Sequence, residues 1–320
     1  MRRLLLAGSA ALAVAGVALL APGGADAGSR AYPTTTCALF PADNIWHARV
    51  DRLPRNVRSA QWMSHMQAST RLLHPDFGPM PYGIPVTVTD GSHPKVSVRF
   101  TYASESDRLL YPLGSDTRIE GGAASTGDRH AIELDRSTCR IYETWNTRLT
   151  STGWTAGSGA SWYMKSNTLR PAGWTSADAA GLPILPGLLR YDEVLAGSVD
   201  HAIRFTTNTT NRAYIWPARH QAGSVTDATY PPMGARFRLK ATYPISSFRP
   251  DTQVVLRGMK AYGMILADNG SPWFFQGTSD WRWPAALIAD LKRVPASAFE
   301  AVDESSLMIS SGSAAARPQP

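Results

Sequence analysis

The sequence predicts a mainly β chain, an antiparallel β-sandwich or jelly-roll-like domain with a few short peripheral helices. Apolar and polar residues alternate with a period of two in several short runs, and Gly and Pro punctuate the chain between them. No regular helix is predicted to connect one run to the next, which favours sheet packed on sheet over alternating strand and helix.

Residues 84–89 and 95–102 alternate cleanly. Runs 131–135 and 139–145 flank a short polar turn and read as a hairpin. Further strands are expected at 160–164, 201–207, 213–216, 235–242, 264–267 and 273–276. Helical spacing occurs at 56–69, where Val57, Ala60, Trp62, Met63 and Met66 share a face and Asn56 is the expected cap. Short helical pieces are expected at 176–180 and 187–195, separated by Pro183 and Pro186. Helices are also expected at 251–262, with Gly263 as the stop, and at 284–293. No repeat of solenoid or propeller length is present.

The first 27 residues read as a secretory signal peptide. Arg2 and Arg3 precede an apolar run over 4–20; Pro22, Gly23 and Gly24 end it; Ala25 and Ala27 form a small-x-small cleavage site. The run approaches the length of a membrane span, but the cleavage site favours removal over anchoring, and no second apolar run follows. The expected product is secreted and extracellular, without stable membrane insertion, and monomeric. It consists of a single globular domain over 28–309 and a small, polar tail over 310–320 predicted to be disordered. Cys37 and Cys139 are the only cysteines, and an exported chain pairs such a couple into a disulfide. The net charge of +7 falls to +6 once Arg2, Arg3 and Asp26 are removed. This charge is spread out, with no run of four Lys or Arg, which argues against a nucleic-acid partner. A basic surface suits weak attraction to anionic cell-wall polymers.

Candidate chemistry centres on three histidines. The segments around 128–133 and 199–204 share Asp-His-Ala-Ile character and open two strands with His130 and His201; His220 follows the expected strand at 213–216. Converging imidazoles beside a carboxylate would act as general acid or base near neutral pH. Asp135 or Glu143 is the expected carboxylate partner. Arg129 or Arg204 would clamp an acidic sugar, and Asp268 and Trp216 complete the expected substrate contacts, Trp216 as a stacking platform. No cofactor is expected, with a metal at the histidine cluster as the alternative; short-spaced ligand pairs are missing. Glu133 and Asp135 stand at i,i+2, as in a carboxylate strand of jelly-roll glucanases, but Ser137 occupies the position of a third acid. Ten Trp residues are many for one domain; core packing is expected to claim most of them, and sugar rings stack on exposed ones. No nucleophile elbow, phosphate loop or dinucleotide fingerprint occurs. The reading is a carbohydrate-active enzyme, hydrolase or lyase, acting on extracellular or cell-wall polysaccharide. The alternative is a non-catalytic glycan- or wall-binding protein.

Several segments, at 40–46 (FPADNIW), 127–130 (GDRH), 169–184, 190–194 (RYDEV) and 262–270 (YGMILADNG), resemble a family of secreted bacterial proteins frequent in actinomycetes. The resemblance spans nearly the whole chain after the leader. It implies secretion and a single domain and assigns no catalytic residue.

Overall fold

The computed structural model describes residues 30–319; the predicted leader and cleavage site lie outside the described residues. In chain order the elements are α1 (Ser59–His65), β1 (His74–Asp76), β2 (Val86–Thr89), β3 (Val98–Phe100), β4 (Ala131–Asp135), β5 (Arg140–Trp145), β6 (Arg148–Thr150), β7 (Gly153–Ala156) and β8 (Ser158–Tyr163). They continue with α2 (Tyr191–Leu195), β9 (Ile203–Thr207), β10 (Arg236–Leu239), α3 (Pro250–Ala261), β11 (Met264–Asn269), β12 (Phe274–Gln276), α4 (Ala285–Leu291) and β13 (Phe299–Val302). The chain is mainly β.

The strands form three sheets: six strands in the order β1-β12-β9-β11-β10-β13, four in the order β2-β4-β5-β8, and three in the order β3-β7-β6. All three are mixed, which corrects the expected purely antiparallel arrangement. β1 with β12, β9 with β11, β2 with β4, and β3 with β7 run parallel. A period of two reports which face a side chain takes and is blind to strand direction. Long irregular connections, such as residues 90–130 between β2 and β4, return the chain to the same end of its sheet. β9 is buried at every position, as expected of a strand covered on both faces.

The β4–β5 hairpin forms as the sequence predicts. Asp135 Oδ1 accepts from the Ser137 N–H (3.0 Å), the Ser137 hydroxyl (2.6 Å) and the Thr138 N–H (3.3 Å), which fixes the turn. Cys139 leaves that turn and pairs with Cys37, with Cα atoms 5.3 Å apart, so the N-terminal arm is tied to the hairpin. The larger core gathers Trp46, Phe205, Phe237, Trp273, Phe275 and Phe299 around the six-stranded sheet; a second core, with Phe40, Ile132, Ile141, Trp162 and Leu185, covers the four-stranded one.

Four local expectations are corrected. Residues 213–216 make only an isolated bridge, Tyr214 with Met233, because Pro217 follows at once. Residues 176–180 are not helical: Ser176 turns its hydroxyl onto the Asp178 carbonyl (2.9 Å) and the Leu182 carbonyl (2.6 Å), a local bond that competes with helix. Asn56 forms a turn with the Arg58 N–H (2.9 Å) instead of capping α1. The tail predicted to be disordered is an ordered strap through residue 319. Ile45 N–H donates to the Ala314 carbonyl (2.7 Å) and Ala316 N–H to the Asp43 carbonyl (2.8 Å), with Ala314 and Ala316 buried. Small side chains lower the average hydropathy of such a segment yet let its backbone lie close against a neighbour.

Burial gives the fold a pH signature. Glu133, fully buried in β4, has one oxygen held by the Thr117 hydroxyl (2.8 Å) and the other without a partner; burial pushes its carboxyl up to about 8. Glu304 is also pushed up to about 8 by burial, against the pull of Arg236. The folded chain therefore keeps protons that the unfolded chain releases above 4.5. The stability they contribute is complete below that value and is lost as pH rises through about 8. The thermal midpoint is expected to fall across this window, and Glu133→Gln should show a shallower fall than wild type. Parallel pH profiles for the two proteins would contradict this.

Candidate active site

The site is built on a largely irregular buried segment, residues 176–189, whose one turn of 3-10 helix is Leu185–Gly187 and which runs between the four-stranded and six-stranded sheets. Buried backbone must be satisfied somewhere, and here side chains of both sheets do it. From the four-stranded sheet, the Ser158 hydroxyl donates to the Ser176 carbonyl (2.6 Å), and Glu143 accepts the N–H groups of Ile184 (2.8 Å) and Leu185 (2.9 Å). Burial pushes the Glu143 carboxyl up to about 7, opposed by these two N–H donors. His130, just before β4, places Nε2 3.1 Å from the Ala177 carbonyl, and His220 places Nδ1 2.9 Å from the Ala179 carbonyl. From the other side, the Ala180 N–H donates to the Ala267 carbonyl (2.8 Å).

Asp178 is the residue this scaffold presents. It is fully buried, and Arg204 of β9 forks onto it, Nε to Oδ2 at 2.8 Å and Nη2 to Oδ1 at 2.6 Å. Asp268 of β11 approaches the same guanidinium at 3.7 Å. It stands where the pairing of β9 with β11 slips between Leu266 and Asp268, a bulge that re-aims side chains at a strand end. Burial raises the Asp268 carboxyl well above the ordinary range, and the Asp178 charge and hydrogen bond reinforce this against the pull of Arg204 and His130. The Asp268 carboxyl is thus held toward its protonated form beside Asp178.

These residues close one end of an open cavity of about 300 Å³. Its walls add Glu105, Asp128, His220 and the rings of Tyr102 and Trp145. Trp145 Nε1 donates to Asp128 Oδ1 (3.2 Å), and its ring lies 6.3 Å from that of Tyr102. Gly157 makes this possible: a Cβ there would meet the Trp145 ring at 2.1 Å. His220 Nε2 lies 3.8 Å from Glu105 at the same cavity.

His130 is held from behind. Its Nδ1 lies 2.6 Å from Glu120 Oε2, which also accepts the His130 backbone N–H (3.2 Å). Burial pulls the imidazole down, but the Glu120 charge and hydrogen bond lift it to about 9. Both ring nitrogens face acceptors, as an imidazolium requires.

Set against the sequence expectations, the structure brings His130, His220 and Asp268 to this one segment. His201 is elsewhere: it opens β9 at the end remote from Asp268 and bonds Glu193 (3.0 Å) and the Ala202 carbonyl (2.7 Å). Neither expected partner of His130 is its partner. Asp135 ends β4 five residues away, about 16 Å along a strand, with the hairpin turn and Lys95 (3.5 Å); Glu143 serves the 184–185 backbone. Neither expected clamp is free. Arg129 donates to the Thr147 (3.0 Å), Ala123 (2.8 Å) and Ser125 (2.8 Å) carbonyls, and Arg204 is taken by Asp178. Trp216 donates to the Ser313 carbonyl (2.8 Å) and packs on the larger core, outside the cavity lining. Sequence reasoning does not single out Tyr102, Glu105 or Asp178 as site residues, and it offers Glu120 only as one of many candidate carboxylates. Asp128, within the GDRH segment, and Trp145, at the hairpin's end, carry the available signal.

Among the described residues no group of three or more His, Cys, Asp or Glu is arranged to hold a metal ion, and no helix is long and apolar enough to cross a membrane. Fold and site define a mainly β protein with an acid-lined, aromatic-walled cavity. Comparison with known protein families, with curated proteins and with solved structures finds no match.

Proposed function

We propose that this chain is a secreted glycan hydrolase, with Asp268 as its proton donor. The observation that carries this reading is the Asp178–Asp268 pair opening onto a cavity walled by Tyr102 and Trp145. Glycosidic cleavage needs an acid that is still protonated near neutral pH and a second carboxylate at the sugar. Asp268 supplies the first, kept protonated by burial and by Asp178. Asp128 is the candidate for the second, steadied by the Trp145 indole. Asp268 would protonate the leaving oxygen as its bond to C1 breaks, while Asp128 takes a proton from the water whose oxygen forms the new bond to C1. Arg204 keeps Asp178 in place as a positioning residue. The aromatic pair suits the apolar face of a sugar ring, and the cavity volume is at the lower end for ligand pockets.

Hydrolysis is favoured over elimination because both candidate uronate clamps, Arg129 and Arg204, are occupied internally. Catalysis is favoured over passive binding because two carboxyls placed side by side at a cavity, one of them raised well above its ordinary range, are a costly arrangement for a site that needs only stacking. On the same reading the two larger sheets form a sandwich-like cleft around residues 176–189. Export is supported by the disulfide, a bond of oxidising compartments, by the predicted leader, and by the resemblance to secreted actinomycete proteins.

Purified protein incubated with a panel of polysaccharides should release reducing ends without the absorbance of unsaturated sugars. Unsaturated products would mean a lyase, and binding without turnover would mean a lectin-like protein; each would refute the proposal. Trp145→Ala should lower kcat/KM on the active glycan by about tenfold or more, the cost of removing an aromatic anchor. A change below twofold would remove Trp145 from the sugar site.

A further inference from the structure

A second cavity, of about 460 Å³, lies between α3, β10 and the segment around Arg49. Four cations line it: Arg49, Arg238, Arg257 and Lys260. Only two carboxylates do, and both are already engaged. Asp51 is forked by Arg49 (3.2 and 2.8 Å) and accepts from Gln319 (2.7 Å), and Glu300 is forked by Arg238 (3.0 and 2.9 Å). That leaves two positive charges without a counter-charge. Arg257 is exposed and has no ion pair among the described residues. Lys260 spends two of its three N–H groups on the Ala241 (2.9 Å) and Tyr243 (2.6 Å) carbonyls and keeps one to offer. Arg257 and Lys260 stand at i,i+3 on α3 and so share a face.

The strand register separates this cavity from the acidic one. Phe237 pairs with Met264, so Arg238 lies beyond the start of β11, whereas Asp268 lies toward its end. The separation is about 16–20 Å along the sheet. One end of β11 carries carboxylates, and the other an uncompensated pair of cations.

We propose that the cavity formed by Arg49, Arg238, Arg257 and Lys260 is a binding site for anionic groups of a polymer, carboxylate or phosphate, separate from the Asp268 cavity. Two unpaired cations in a concave wall focus potential on an anion. Arg257 offers a planar fork that matches either group. Such a site would hold the protein on an acidic polymer while the carboxylate-lined cavity, which repels anions, takes an uncharged chain.

The test needs no enzymatic activity, so it stands or fails apart from the hydrolase reading. Polygalacturonate, polyphosphate and uncharged dextran are titrated into the intact protein at low ionic strength. At least one polyanion should bind, weakening as salt is added, and dextran should not compete at this site. Binding of polygalacturonate alone assigns carboxylate, of polyphosphate alone assigns phosphate, and of both assigns charge recognition. Arg257→Gln should weaken that binding about fivefold or more, as expected for a charged hydrogen bond, and Arg257→Gln with Lys260→Gln should abolish it. Thermal midpoints confirm that the variants are folded, and Arg257, being exposed, is the variant that leaves packing intact. Wild-type protein that binds neither polyanion, or variants that bind as tightly as wild type, would overturn the proposal.

Discussion

Replacing Arg204 with Met is expected to destabilise the protein by about 3–5 kcal/mol near neutral pH, the range for stripping one partner from a buried ion pair. Arg204 is 2% exposed and Asp178 is fully buried. Without the guanidinium, Asp178 would lose the cation that forks onto it and would sit buried beside Asp268, with the His130 imidazolium as the remaining positive charge acting on the pair. The damage would also be geometric, since Arg204 fixes Asp178 and Gly187 packs within 3.0 Å, measured from a Cβ built on it, of the Arg204 Cβ. Replacing both members, Arg204→Met with Asp178→Asn, removes the stranded charge and should recover part of the loss. Denaturant midpoints read both outcomes. A single-variant loss below about 1 kcal/mol, or a double variant as unstable as the sum of two singles, would contradict a tightly held pair.

Cys37→Ser with Cys139→Ser is expected to cost about 4–5 kcal/mol by the chain-entropy relation for a loop of this length. The bridge spans 102 positions and anchors the arm that carries Trp46. Trp46 is buried against the site segment: a Cβ on Gly187 would lie 2.8 Å from its ring. Cutting the tie should therefore raise amide exchange first in the arm and then over residues 184–189, before the six-stranded sheet. Uniform exchange across the chain, or an unchanged unfolding midpoint, would show that packing alone holds the arm.

The strands were legible where residue types alternate in the sequence, even though β4 and β9 prove buried at every position, and the β4–β5 hairpin was legible because its turn is polar and short. Strand direction was not, since β2 and β4 pair in parallel across some forty residues whose path no periodicity records. The tail departs from its expectation for a related reason: its Ser, Gly, Pro and Gln residues make it look solvated, yet its small residues, Ala314 and Ala316 among them, let a strap lie flat against 43–45. In the site, His130 and Asp268 were within reach of sequence reasoning because they sit just before β4 and within β11, whereas His220 was reached through an expected strand at 213–216 that does not form. Asp178 was not, because residues 176–180 read as a short helix while the structure holds them in an irregular path. The conformation of the segment 176–189 comes from Ser158, Glu143, His130 and Arg204, which reach it from distant parts of the chain. Arg129 and Arg204 looked like substrate clamps by residue type alone; only the structure reveals that carbonyls and Asp178 already occupy them.

The account rests on the proton held by Asp268 in an aromatic-walled cavity. The most direct measurement is kcat/KM against pH for wild type and Asp268→Asn on whichever glycan the panel identifies. Wild type should keep its activity above the ordinary carboxylate range and lose it on the alkaline side as Asp268 gives up its proton. Asp268→Asn should fall about 10²–10⁴-fold, the usual worth of a positioned acid, while its thermal midpoint and its affinity for the glycan stay close to wild type. An Asp268→Asn variant that turns over within twofold of wild type, or wild-type protein that hydrolyses no glycan at any pH, would contradict it.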